Sequence, residues 1–126
     1  MIRETIPLIF PKDLDASRAF YRNVLGFVEG QVEDDFAELR SGDLVLWLHS
    51  DTDIDDEEYK QELHDHKRGV GMNLYFAVDD VDKYYERVVE QGGAPLEQEP
   101  DTTPWGMRRF TVRDPDGYHL SFFSPA

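Results

Sequence analysis

The chain of 126 residues contains no cysteine. This absence excludes disulfide bonds, thiolate nucleophiles and thiolate metal ligands, and leaves the compartment open. Long hydrophobic runs are also missing, because no stretch approaches the roughly 20 apolar residues that span a bilayer. The first residues carry no apolar segment of the length that a signal peptide requires. We therefore expect a cytoplasmic protein that has no membrane partner.

Basic residues are scarce, since 13 Lys and Arg stand against 27 Asp and Glu for a formal net charge of −14. This charge repels phosphate backbones and anionic lipid, which argues against nucleic acid and membrane surfaces as partners. It would attract a cationic small molecule, although the alternative is that it serves only solubility. The length fits a single domain over residues 1–126. Aromatic residues, at 13%, indicate a folded chain.

One sequence pattern occurs twice, 67 positions apart. This shift places Asp13 on Asp80 and Gly26 on Gly93, and each aspartate opens an amphipathic helical pattern that a glycine ends. A repeat of this length is typical of a duplicated supersecondary unit. Two such units leave a cleft where they meet, and we look for a site in that cleft.

The alternation and turn signals predict that each unit is β-α-β-β-β. Module one covers about residues 4–50 and module two about 71–125. Between them, about 51–70 form an acidic connector with a turn of helix near 56–65. Strands are predicted near 5–10, 27–33, 35–41, 43–49, 72–78, 94–99, 106–113 and 118–124. The predicted fold class is α+β, with two tandem modules forming a curved eight-stranded sheet.

Four segments form a recognisable set, namely Asp13-Leu-Asp-Ala-Ser17, Leu25-Gly26-Phe27, Val78-Asp-Asp-Val-Asp82 and Asp114-Pro-Asp-Gly117. Together they resemble the vicinal oxygen chelate superfamily, which includes glyoxalase I, extradiol dioxygenases and bleomycin-resistance proteins. The resemblance covers nearly the whole chain and implies the glyoxalase/bleomycin resistance fold. Two further segments are most similar to the bleomycin-resistance proteins, namely Glu33-Asp-Asp-Phe36-Ala37 and Pro104-Trp105-Gly106.

Enzymes of this superfamily hold a divalent metal through His and Glu from the first and last strands of each unit. The resemblance places these ligand positions on Ile6, Asn73 and Ser121, and the fourth position falls within 44–48, which contains no ligand type. An aliphatic side chain cannot bind a metal, and Asn and Ser bind transition metals poorly. We therefore expect no metal and no other cofactor.

The histidines offer an alternative set of metal ligands. They are His49, His64, His66 and His119, and His49 or His119 could serve as a displaced ligand in a metal-dependent lyase, transferase or dioxygenase of the glyoxalase type. His119 should share a strand face with Ser121. A third hypothesis is an interaction module in which the acidic connector near 51–65 binds a basic protein.

The resemblance implies a non-enzymatic protein that sequesters a cationic or aromatic ligand, including a glycopeptide antibiotic, in clefts at a homodimer interface. Such a protein would confer antibiotic resistance by binding alone. Aromatic side chains would stack on the ligand and carboxylates would attract its charge. The candidate ligand-binding residues are Asp34, Asp35, Phe36, Trp47, Asn73, Tyr75, Trp105, Met107, His119 and Ser121.

Overall fold

The computed structural model describes residues 1–52 and 54–126, so Asp53 of the predicted connector lies outside the described residues. The chain divides into two compact units, Met1–His66 and Lys67–Ala126. The predicted α+β class is confirmed, because the described residues contain eight strands and three α-helices. The eight strands form two mixed sheets of four. None of the helices among these residues has the length and apolar character that crossing a membrane demands.

The first unit has the strand order β1-β4-β3-β2, in which β1 and β4 are parallel and the other pairs are antiparallel. A π-helical segment, Phe20–Val24, continues its first helix. The elements are β1 (Leu8–Ile9), α1 (Leu14–Ala19), β2 (Val28–Val32), β3 (Phe36–Ser41), β4 (Leu44–His49) and α2 (Glu57–Asp65).

The second unit repeats this arrangement with the strand order β5-β8-β7-β6. Here β5 and β8 are parallel, and the remaining pairs are antiparallel. The elements are β5 (Asn73–Ala77), α3 (Val81–Glu90), β6 (Asp101–Thr102), β7 (Met107–Arg113) and β8 (His119–Pro125).

The two predicted helix caps are confirmed. The carboxylate of Asp13 accepts the backbone N–H of Ala16 at 3.1 Å, and that of Asp80 accepts the backbone N–H of Lys83 at 3.2 Å. Both aspartates have extended backbone dihedrals, as a residue preceding a helix must. The predicted connector helix also forms, and Asp56 caps it by accepting the N–H of Tyr59.

The predicted strand near 94–99 is wrong. The β-strand instead comprises Asp101–Thr102, which pairs with β7. Pro95 lies within the predicted segment and Pro100 follows it directly, and proline has no N–H to donate to a strand ladder. Two hydrogen bonds hold this segment to β7. Thr111 N–H donates to the carboxylate of Glu97, and the Thr111 carbonyl accepts the N–H of Leu96.

Each sheet buries one face and leaves the other more open. In the first unit, Ala37, Leu39, Leu46 and Leu48 are fully buried, whereas the alternating residues of β3 and β4 are half-buried or exposed. In the second unit, Phe110 and Phe122 are buried and contact Tyr84 of α3. Because strand residues alternate between faces, the candidate ligand positions on the strands fall on the more open faces, although Ser121 is itself buried there.

Candidate functional site

The open face of the first sheet, which we call the first face, carries several half-buried rings. Phe36 lies directly opposite His49 across β3 and β4, and Glu38 lies opposite Trp47. The rings of Phe36 and Trp47 meet edge to face, with centroids 5.8 Å apart. The ring of Phe10 lies 6.1 Å from His49 and 5.5 Å from Tyr59 of α2. These contacts place an aromatic surface on the first sheet.

Glu38 is the polar centre of the first face. Its carboxylate accepts the indole N–H of Trp47 at 3.2 Å and the guanidinium Nε–H of Arg40 at 2.8 Å. The hydrogen bond from Trp47 and the bond and charge of Arg40 hold the pKa of Glu38 below the ordinary value of a glutamate. Glu38 therefore remains ionised and orients the indole ring.

The acidic residues that precede β3 add negative charge beside this surface. Asp34 is exposed and Asp35 is half-buried. A carboxylate oxygen of Asp35 lies 3.8 Å from Nε2 of His49, and Nδ1 of His49 lies 2.8 Å from the Ser50 carbonyl. The first face therefore combines flat rings with carboxylates at its edge.

The open face of the second sheet, the second face, has a different character. Asn73, Tyr75, Ser121 and His119 lie on this face, and Arg109 and Arg113 of β7 lie there with them. Met107, the first residue of β7, shares the face by alternation. Two guanidinium groups make this surface a poorer site for a cation than the first face.

Arg109 connects several of the predicted ligand residues. Its Nη1 donates to the hydroxyl of Tyr75 at 2.6 Å, and its Nε lies 3.8 Å from a carboxylate oxygen of Asp101. Its guanidinium carbon lies 5.9 Å from the ring centroid of Trp105, which is within cation–π range. Trp105 is 68% exposed, and Tyr75 lies 6.1 Å from Phe123. One cation of the chain thus already faces Trp105.

Two of the positions that the resemblance assigns to metal ligands are hydrogen-bonded to each other. The hydroxyl of Ser121 donates to Oδ1 of Asn73 at 3.0 Å, and the hydroxyl of Thr111 lies 2.8 Å from that of Ser121. Because Ser121 gives its only proton to Asn73, Thr111 is the donor in the second bond. Ser121 is completely buried. The three side chains satisfy one another.

The strand register identifies the remaining metal-ligand position. Leu8 pairs with Trp47 in the first unit, and Tyr75 pairs with Ser121 in the second. Leu8 and Tyr75 are 67 residues apart, which is the repeat shift, so Trp47 is the equivalent of Ser121. The four positions that the resemblance implies therefore fall on Ile6, Trp47, Asn73 and Ser121. This set lacks the imidazole and carboxylate donors that a divalent transition metal requires, so the residues do not fit the ion.

The histidines do not rebuild a metal centre. Arg113 donates from Nε to Nε2 of His119 at 3.1 Å, which occupies the lone pair that a metal would use. His64 lies in α2, and His66 is the C-terminal cap of that helix. Across residues 1–52 and 54–126, no three His, Asp or Glu side chains are grouped in a way that could hold an ion.

The sequence-based selection missed Glu38 and Arg109. Alternation along β3 could have found Glu38, since it lies two residues from Phe36 and must share its face. By the same rule, Arg109 lies two residues from Met107 and must share its face. The pairing of Glu38 with Trp47 and of Arg109 with Tyr75 depends on strand register, which short-range signals do not specify.

Comparison with known proteins identifies the family that the sequence motifs resemble. A family model described as the Glyoxalase/Bleomycin resistance protein/Dioxygenase superfamily matches residues 5–122. Two relatives named bleomycin resistance protein, from Geobacillus stearothermophilus and Staphylococcus aureus, are each 27% identical to this chain over 128 aligned positions. The alignment covers 95% of this chain and 95% of each relative.

Solved structures share the fold. UcmS2 has a TM-score of 0.79 with 24% identity and 98% coverage of both chains. A glyoxalase/bleomycin resistance protein/dioxygenase family enzyme from Burkholderia phytofirmans PsJN has a TM-score of 0.74, with 23% identity and coverage of 96% of this chain and 97% of that one. TioX from Micromonospora sp. ML1 also scores 0.74, at 19% identity, with coverage of 98% and 99%. At these identities the likeness establishes the fold alone.

Proposed function

The chain belongs to the Glyoxalase/Bleomycin resistance protein/Dioxygenase superfamily, and on that basis we propose that it binds and sequesters a cationic, aromatic small molecule without a resident metal. The observation that carries the proposal is the side chain at the fourth metal-ligand position. That position holds Trp47, whose indole is anchored to Glu38. A flat ring fixed in place is a stacking platform, and a metal site would need a donor there.

The first face supplies both interactions that such a ligand uses. Trp47 and Phe36 present rings for offset or edge-to-face stacking, an interaction worth about 0.5–1.5 kcal/mol per pair beyond the area buried. Asp34 and Asp35 stand at the edge of this surface and attract a positive tail. The net charge of −14 accelerates encounter with any cation.

The second face contributes less to cation binding. Arg109 and Arg113 repel a positive group, and Arg109 already lies against Trp105. We therefore propose Asp34, Asp35, Phe36 and Trp47 as the principal contacts, with Glu38 as the residue that positions Trp47. On the second face, Trp105, Tyr75 and Met107 are the candidates for stacking on an uncharged aromatic group.

The names of the curated relatives support the ligand class. Relatives that cover 95% of this chain are named for resistance to bleomycin, so bleomycin-type glycopeptides are the first ligands to test. We also propose that the protein acts as a homodimer. Edge strand β2 presents exposed Val28 and Val32, which a second copy would cover. Light scattering should then give about twice the chain mass of 14.7 kDa.

Tryptophan fluorescence provides the test of binding. The Trp105→Phe variant has Trp47 as its only tryptophan, and the Trp47→Phe variant has only Trp105. Titration with a bleomycin-type glycopeptide, and with simpler cationic heteroaromatic compounds, should quench Trp47 at micromolar concentration. The Asp35→Asn variant should bind a cationic probe several-fold more weakly and a neutral aromatic probe equally well. Absence of quenching of Trp47 by every probe would refute the proposal.

Elemental analysis of the purified protein separates binding from metal-dependent catalysis. One stoichiometric Mn, Ni or Zn per chain, with lyase, transferase or dioxygenase activity after its addition, would overturn the non-enzymatic assignment. We expect no stoichiometric metal and no such activity, because Ile6, Trp47, Asn73 and Ser121 do not supply its ligands.

A further inference from the structure

A small basic pocket lies within the second unit. Its volume is about 210 Å³, and Lys67, Arg68, Arg113 and His119 line it together with the turn 69–71. Three of these side chains are permanent or near-permanent cations at neutral pH. Such a cluster is unexpected in a chain that carries twice as many acidic as basic residues.

Arg68 lines the pocket while its side chain is held in the protein interior. Its side chain is only 1% exposed, and its Nη1 lies 3.9 Å from a carboxylate oxygen of Asp116, which is 5% exposed. At this separation the two charges attract each other, so Arg68 and Asp116 form a buried ion pair. Lys67 and Arg113 are exposed and add two further charges at the mouth.

The glycine turn brings the backbone close to the base of the pocket. Gly69 has φ of +78°, and a Cβ there would lie 2.8 Å from the Cα of Tyr118. Only glycine therefore fits this position, since any side chain would clash with backbone. The turn is closed by a hydrogen bond from Met72 N–H to the Gly69 carbonyl at 3.3 Å.

Arg113 is oriented for bidentate recognition. Its Nε donates to Nε2 of His119 at 3.1 Å, which fixes the guanidinium plane. Among the described residues this bond uses only Nε, so the two Nη groups remain as donors. A planar fork of N–H groups matches the spacing of carboxylate or phosphate oxygens.

We propose that this pocket binds the oxyanion of a small molecule, either a carboxylate or a phosphate group. Arg113 would donate to the oxyanion, and the exposed Lys67 would add a second positive charge. The proposal is independent of cation binding at the first face, because none of its residues lies on that face. The first face would then bind cationic groups, and the pocket of the second unit would bind anionic groups.

Nuclear magnetic resonance of the full chain tests this assignment. Inorganic phosphate and acetate are titrated separately at constant ionic strength, with chloride as the balancing anion, while the amide signals of Gly69 and Gly71 and the Arg113 Nε signal are followed. We expect saturable shifts in the millimolar range. Tighter binding of phosphate would identify a phosphate-bearing ligand, and tighter binding of acetate a carboxylate.

Two variants make the test specific. Arg113→Gln should weaken binding about tenfold, the effect of losing one charge-assisted bidentate contact. Lys83→Gln removes the same charge from an exposed position on α3 outside the pocket and should leave binding unchanged. Shifts no larger than those caused by chloride, or an equal loss in the two variants, would overturn the proposal.

Discussion

Trp47 of β4 donates its indole N–H to the carboxylate of Glu38 on the neighbouring strand β3, at 3.2 Å. Arg40 donates to the same carboxylate from the side, and Gly30 of β2 leaves room for it. Residues of β2, β3 and β4 thus meet at the carboxylate of Glu38. Glu38 is therefore a positioning residue, whose effect on a ligand passes through the ring it holds.

The charge state of Glu38 should be visible in the emission of Trp47. Its pKa lies below the ordinary glutamate value of about 4.3, because Trp47 and Arg40 stabilise the carboxylate. In the Trp105→Phe variant, emission should stay constant as pH falls from 7 and change only below that ordinary value. Glu38→Gln should abolish this transition, and a transition that survives the substitution would contradict the assignment.

The free energy of unfolding should also depend on the charge of Glu38. A carboxylate whose pKa is lowered by folding contributes stability that is fully present above its unfolded pKa. That contribution is lost as pH falls through the folded pKa. Urea unfolding should therefore show Glu38→Gln to be less stable than the parent chain at pH 7. The difference should disappear in acid, where the carboxyl of the parent chain is also neutral.

Gly30→Ala should impair ligand binding without unfolding the protein. A Cβ at residue 30 would lie 2.5 Å from Oε1 of Glu38, so the flexible carboxylate must move away and release Trp47. Alanine in a strand otherwise costs less backbone entropy than glycine, so the free energy of unfolding should change by less than about 1 kcal/mol. Quenching titrations should show several-fold weaker affinity. Adding Glu38→Gln to this variant should cause no further loss, because both changes act on the same hydrogen bond.

Ser121→Ala should destabilise the second unit. The substitution leaves Thr111 and Asn73 without the hydroxyl that they share, and an unsatisfied buried polar group costs about 1–3 kcal/mol. Thr111→Val should have a similar effect. The double variant should lose less than the sum of the two single losses, since neither polar partner of that bond remains. Additive losses in urea unfolding would show that the bond contributes nothing.

Arg109→Gln should alter the surroundings of Trp105. The substitution removes the guanidinium group, whose carbon lies 5.9 Å from the indole centroid and whose N–H donates to the hydroxyl of Tyr75. In the Trp47→Phe variant, a cationic aromatic probe should then quench Trp105 more strongly, because the ring face no longer meets a guanidinium. Equal quenching before and after the substitution would show that Arg109 does not compete with the ligand.

The elements that the sequence predicted correctly are those encoded by short-range signals. Asp13 and Asp80 cap their helices through hydrogen bonds that span three residues, so local sequence suffices to identify them. The turn at Asp114 is equally local, because its carboxylate accepts the N–H groups of Asp116 and Tyr118. The strand predicted near 94–99 does not form, because Pro95 within it and Pro100 after it have no N–H to donate to a strand ladder.

The sequence by itself determined the duplicated α+β architecture and showed that Ile6, Asn73 and Ser121 are not metal-ligand types. Only the tertiary structure decided that Trp47 occupies the fourth position, that Glu38 anchors it, and that Arg109 lies against Trp105. The physical reason is that a one-residue slip in strand register moves every side chain to the other face. Register is fixed by packing between distant segments, which no single stretch of sequence contains.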